Sequence, residues 1–160
     1  NLFKDSQIDT IDLPEKDEDF VNFYNRKNNV NKFIEERNKN LAKNTRIKFL
    51  PLNSLKLLNH KKKYDLIWID GAHGYPVVCS DIINSLHLLK DNGVILCDDI
   101  ILNLNQYVSD KMHYSIASYE TLNELKKQKL IKFTLVFKRL SAEANSLENK
   151  RKYIGVVSKI

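Results

Sequence analysis

A chain of 160 residues is long enough for one hydrophobic core and too short for two ordinary domains. With 42% apolar and 29% charged residues but only four glycines and three prolines, it is too apolar for a disordered chain and too poor in turn formers for a collagen-like or loop-rich scaffold. The net charge of +6 would permit a nucleic-acid partner, but the excess is lysine scattered along the chain, and the run Lys61-Lys62-Lys63 precedes an apolar stretch where solvated lysines are ordinary, which argues against one.

The first strand signal covers residues 7–13, a β-branched stretch carrying Asp12 near its end and followed by Pro14, which cannot continue a ladder. Over 15–44, Phe20, Phe23, Val30, Phe33, Ile34 and Leu41 recur near the helical period, and the Asn28-Asn29 pair is where the run can divide into two helices. Residues 46–51 read as a short strand and 56–59 as a turn or half-helix. Residues 64–70 are almost continuously apolar, which implies a strand buried on both faces, as in a parallel sheet covered by helices. A helix over 76–90 follows, with Val78, Ile82, Leu86 and Leu89 on one face, Pro76 in its first turn and Gly93 just past its end; a strand over 94–97 comes next. After a loop carrying Tyr107, Met112 and Tyr114, a helix is expected over 118–129, with Thr121 and Glu124 at capping-box spacing. Ile131, Phe133, Leu135 and Phe137 then alternate with Lys132, Thr134, Val136 and Lys138, the mark of a half-exposed strand near a sheet edge. A polar connection over 141–150 leads to a last strand over 152–158.

This order predicts an α/β fold: a single domain over 1–160 with an open, mostly parallel sheet, helices on both faces and an antiparallel strand pair at the C-terminal end. The longest apolar runs fall far short of the roughly 18 to 20 residues that span a bilayer, and no basic-then-apolar leader opens the chain, so a membrane partner is not expected. Cys79 and Cys97 sit inside apolar stretches without metal or disulfide spacing, which fits buried thiols in a reducing compartment and a cytoplasmic location.

Ligands of open α/β sheets bind beyond the carboxyl ends of the strands. Read that way, the strand ends carry Asp12, then Asn53 and Ser54, then Asp70-Gly71-Ala72-His73, then Asp98-Asp99. Asp70, Asp98 and Asp99 come from two successive parallel strands that the right-handed crossover rule makes neighbours, and hard oxygen donors gathered at one sheet edge suit Mg²⁺, Mn²⁺ or Ca²⁺. Solvated or capping acids produce the same pattern, and spacing alone does not separate the two. His73, between Gly71 and Gly74, is placed to act as a general base near neutral pH; taken by itself it reads first as a loop histidine bonded to neighbouring backbone.

Residues 64–75 (Tyr-Asp-Leu-Ile-Trp-Ile-Asp-Gly-Ala-His-Gly-Tyr), Asp81, the segment Leu88-Leu89-Lys90-Asp91-Asn92-Gly93 and the segment Val94-Ile95-Leu96-Cys97-Asp98-Asp99-Ile100 together resemble the fourth- and fifth-strand region of class I S-adenosylmethionine-dependent methyltransferases. The closest likeness is to the metal-dependent O-methyltransferase branch that includes macrocin O-methyltransferase-like enzymes. Thr10-Ile11-Asp12 resembles the second strand with its ribose-binding acid, and residues 133–160 resemble the closing antiparallel pair. The resemblance implies a Rossmann-like sheet, S-adenosylmethionine as methyl donor, Mg²⁺ or another divalent cation, and a small-molecule hydroxyl as acceptor. It gives Asp12 the ribose hydroxyls, Asn53 and Ser54 the adenine, and Asp70, Asp98 and Asp99 the ion. Asp70 also borders the cofactor and shares the catalytic role with His73, which takes the proton of the acceptor hydroxyl.

Members of that family open with a strand and a glycine-rich turn, and the first strand lies between the second and fourth in the sheet. The four glycines here are Gly71, Gly74, Gly93 and Gly155, so the chain is expected to be the C-terminal part of a longer domain, without that strand and turn. The alternative is a truncated or degenerate non-catalytic α/β domain used for protein association, with Asp12, Asp70 and Asp98 as remnants. Either reading leaves a homo-oligomer open.

Overall fold

Residues 1–57 and 58–160 form two compact units, of which the computed structural model describes residues 5–25, 30–102, 114–140 and 151–160. In the first unit the β-branched run becomes β1 (Ile8–Asp12), cut short by Pro14. It pairs in parallel with β2 (Ile47–Pro51), Ile8 opposite Ile47 and Asp12 opposite Pro51. Parallel neighbours need a crossover; α1 (Glu18–Asn25) and α2 (Val30–Leu41) supply it, so the long helical run does divide. Phe20, 1% exposed, packs against Phe33 with ring centroids 6.0 Å apart. Arg37 pairs with Glu15 and lies 4.4 Å over the Phe49 ring. The half-helix after β2 is a 3-10 helix, Ser54–Asn59.

The second unit is built on a four-stranded sheet in the order β3 (Tyr64–Ile69), β4 (Leu89–Ile100), β6 (Arg151–Lys159), β5 (Ile131–Leu140). β3 and β4 are parallel and are joined through α3 (Val77–Leu88); β6 runs antiparallel to β4 and β5, which gives the expected C-terminal antiparallel pair. α3 and α4 (Ile116–Lys127) bury Val78, Ile82, Ala117 and Leu122 with Ile69, Ile95, Cys97, Ile131 and Val157 of the strands. The fold is therefore α/β, with parallel strand pairs linked by helices and closing on an antiparallel pair. The alternation over 131–138 holds at its start, where Ile131 and Phe133 are buried and Lys132 and Thr134 exposed, and fails at its end, where the register shift leaves Phe137 exposed and Lys138 half-buried; β5 lies at the sheet edge. Gly93 permits close approach, since a Cβ there would meet Leu89 Cδ1 at 2.7 Å and the Asp65 carbonyl oxygen at 3.0 Å.

The apolar run over 64–70 is not buried on both faces. Ile67 and Ile69 turn toward α3 and α4, while Leu66 and Trp68 on the opposite face are 42% and 50% exposed. α3 stops at Leu88, not at Lys90, because Leu89 is already extended and pairs with Tyr64; Gly93 accordingly lies inside β4 and not beyond a helix end. α4 begins at Ile116, not at 118, and its cap is Ser115 in place of the expected Thr121 and Glu124 pair: Ser115 Oγ accepts from the Ser118 N–H at 3.0 Å. Cys97 is buried and Cys79 only half-buried, and both are free thiols. The connection over 141–150 and Tyr107 lie outside the described residues. No helix among the described residues is long and apolar enough to cross a membrane.

Candidate functional site

In the first unit, the Leu52 N–H donates to the Asp12 carbonyl at 2.9 Å, which brings Asp12 and the Asn53-Ser54 pair to adjacent strand ends. The half-buried Asp12 carboxylate accepts from the Leu13 N–H at 2.8 Å. A carboxylate has lone pairs enough to do this and still accept two hydroxyls. Asn53 Oδ1 accepts from the Leu55 N–H at 3.0 Å and so opens the 3-10 helix.

In the second unit, the parallel neighbours β3 and β4 bring Asp70, His73, Asp98 and Asp99 to one edge. Asp70 follows the last residue of β3 and its side chain is 54% exposed; His73 Nε2 stands 3.9 Å from Asp70 Oδ1 and is nearly buried. Asp98 and Asp99 are both buried. Asp99 has φ of 53°, in the left-handed region that few residues other than glycine adopt, where β4 slips register against β6. Such a conformation costs about 1 kcal/mol or more and persists where neighbours hold it. Here the Ser115 N–H holds the Asp99 carbonyl at 2.9 Å, and Asp98 Oδ1 accepts from the Asp99 N–H at 2.6 Å.

Two lysines complete the cluster, and nothing in the sequence pattern singles them out. Lys138 of β5 places its ammonium 2.5 Å from Asp98 Oδ1 and 3.1 Å from Asp99 Oδ1. Lys152 of β6 reaches Asp99 Oδ1 at 3.2 Å and lies 4.8 Å over the Tyr114 ring. Ser115 was also missed: besides capping α4, its hydroxyl donates to the His73 carbonyl at 2.7 Å and so pins the turn that carries His73.

The charges act on one another as this geometry demands. Burial, then the negative charges of Asp98 and Asp99, push the Asp70 carboxyl above its ordinary range. Burial works the same way on Asp99, but the hydrogen bonds and charges of Lys138 and Lys152 outweigh it and hold that carboxyl low. Burial disfavours the Lys138 charge, yet its bonds to Asp98 and Asp99 keep the ammonium above its usual range. Burial alone lifts the Cys97 thiol to about 12, which makes it inert as a nucleophile.

One ligand atom each from Asp70, His73 and Asp99 falls within 4.8 Å of the others, a spacing that one divalent cation can bridge. The two carboxylates are hard donors suited to Mg²⁺ or Mn²⁺, and the imidazole, a softer donor, stands beside them, where its ring can take a proton. Asp70 and Asp99 therefore fit such an ion, whereas Asp98, expected as a third ligand, is not in this group and its carboxylate is engaged by Lys138.

A family model for a methyltransferase domain matches residues 3–100. No curated protein matches the sequence. Among solved structures, a Klebsiella pneumoniae protein assigned as an O-methyltransferase aligns with a TM-score of 0.61 and 14% identity, over 98% of this chain and 63% of that one. The SAH-bound Podospora anserina methyltransferase PaMTH1 aligns with a TM-score of 0.53 and 16% identity, over 96% of this chain and 61% of that one. At these identities the likeness is one of fold, and the chain spans less than two thirds of either structure.

Proposed function

The chain belongs to the methyltransferase-domain family, and from that premise we propose that it transfers the methyl group of S-adenosylmethionine to a hydroxyl of a small molecule, assisted by a divalent cation. What supports this reading most is the meeting of Asp70, His73 and Asp99 at the ends of two neighbouring strands.

S-adenosylmethionine brings an electrophilic methyl group, and a divalent ion brings charge stabilisation for the acceptor oxygen. Asp12 accepts the two ribose hydroxyls, while Asn53 and Ser54 border the adenine. Asp70 and Asp99 would hold the ion, while Asp98 pairs with Lys138. His73 takes the proton of the acceptor hydroxyl at its ring nitrogen, and the Asp70 carboxylate, 3.9 Å away, stabilises the imidazolium that results. The free thiols Cys79 and Cys97 suit work in a reducing, cytoplasmic setting.

The experiment is transfer of labelled methyl from S-adenosylmethionine, by the full-length protein, into a panel of hydroxyl-bearing small molecules. Methyl incorporation that falls by about 10²-fold or more in His73→Ala supports the reading; equal incorporation by the variant removes His73 from it. A second reading, a non-catalytic domain used for association, is favoured by the exposure of Leu66 and Trp68 on one sheet face. It requires that no acceptor in the panel be methylated.

A further inference from the structure

Two irregularities in the sheet lie on either side of β6. On β4 the register shifts between Cys97 and Ile100, on β5 it shifts between Phe137 and Arg139, and Ile100 and Phe137 both stand opposite Tyr153. An extra residue in a strand bends it and re-aims its side chains. The β4 shift holds Asp98 and Asp99 and the β5 shift holds Lys138, so the two together set an ammonium between two carboxylates.

The two lysines at Asp99 differ in how they are held. The Lys152 side chain is 3% exposed and lies against the Tyr114 ring, so leaving Asp99 would strand a buried charge. The Lys138 side chain is 24% exposed and sits on the edge strand, with a path to water open to it. Asp99 is at once the partner of both lysines and one of the residues that can face a divalent ion.

We propose that Lys138 is a built-in competitor for the divalent cation: its ammonium, resting on Asp98 and Asp99, weakens ion binding, and the ion gains Asp99 as Lys138 swings toward solvent while Lys152 stays in place. This rests on the cation site proposed above. Like charges a few ångströms apart in a partly buried site repel strongly, which is why the ammonium and the ion exclude each other. Before the ion arrives, Asp98 is the counter-charge of Lys138; once Lys138 leaves, the charge of the ion takes over the neutralisation of buried Asp98.

The test is calorimetric titration of the metal-free full-length protein with Mn²⁺. Lys138→Met is expected to bind Mn²⁺ about tenfold more tightly than the wild type. Lys132→Met removes the same charge from an exposed position on the same strand and is expected to leave affinity unchanged. Mn²⁺ binding by the wild type with equal or weaker binding by Lys138→Met overturns the competition and leaves the cation site standing. No Mn²⁺ binding by any of the three removes the cation site, and the competition with it. If Lys138→Met lacks a cooperative thermal transition, Lys138→Gln carries the same comparison under the same criteria.

Discussion

The Ser115 hydroxyl donates to the carbonyl oxygen of His73 at 2.7 Å, across 42 residues of sequence. Ser115 Oγ also accepts from the Ser118 N–H, and the Ser115 N–H donates to the Asp99 carbonyl at 2.9 Å. One buried residue thus fixes the His73 turn, the end of β4 and the start of α4. Ser115→Ala is expected to cost about 1–3 kcal/mol, from the lost cap and the lost hydroxyl bond to the His73 carbonyl. Urea unfolding checks it: the midpoint drops while the slope stays constant.

Lys152 tests the buried part of the charge cluster. Its side chain is 3% exposed and its partner Asp99 is 6% exposed, so Lys152→Met leaves a buried carboxylate with Lys138 as its remaining cation among the lysines described. A loss of about 3 kcal/mol is expected, read by the same denaturation, whereas Lys132→Met on the exposed side of β5 should stay within about 0.5 kcal/mol of wild type.

Stability should fall at both pH extremes, for opposite reasons. The Asp99 carboxyl is held below its unfolded value, so its contribution is present above about pH 4 and is lost as pH falls through the folded value. The Lys138 ammonium is held above its unfolded value, so its contribution is present below about pH 10.4 and is lost as pH rises through the folded value. Urea midpoints measured across pH are expected to show both losses. In Lys138→Met the alkaline loss shrinks and the acid loss becomes shallower.

Asp70 has the reverse sign to Asp99. Its folded pKa is raised, by burial and then by Asp98 and Asp99, so protonation favours the folded state and that advantage is lost as pH rises through the folded value. At neutral pH the charge is a burden, and Asp70→Asn should raise stability, by less than about 1 kcal/mol because the side chain is 54% exposed. The same change should abolish methyl transfer. A functional acid held at a cost to the fold predicts this pairing of gain and loss; a variant that is less stable and fully active contradicts it.

Much of this arrangement is legible before any coordinates. β1, β2 and β3 fall within the runs that β-branched and apolar residues mark, and Asp70, Asp98 and Asp99 stand out because an acid directly after an apolar run needs a partner, which buried Asp98 and Asp99 find in lysines. Lys138 and Lys152 do not stand out. Each is one polar residue among others on a C-terminal strand, and what carries them to the acids is a pair of register shifts, a property of paired strands and of neither strand alone. The start of α4 differs from expectation for a related reason: Thr121 and Glu124 have the right spacing for a cap, but Ser115 caps the helix while its hydroxyl also bonds the His73 carbonyl, a contact between distant parts of the chain. Continuous apolar character in β3 likewise says nothing about how many faces are covered, and Leu66 and Trp68 are left outside the helix-covered side.

Every role proposed for this fold presupposes that it takes up S-adenosylmethionine. Calorimetric titration of the full-length protein with S-adenosylhomocysteine tests it without knowledge of the acceptor. Saturable binding is expected, weakening about tenfold or more in Asp12→Ala, as loss of a carboxylate shared by two hydroxyls requires. A wild-type protein that takes up no S-adenosylhomocysteine, or that binds it as tightly with Ala at position 12, contradicts the account.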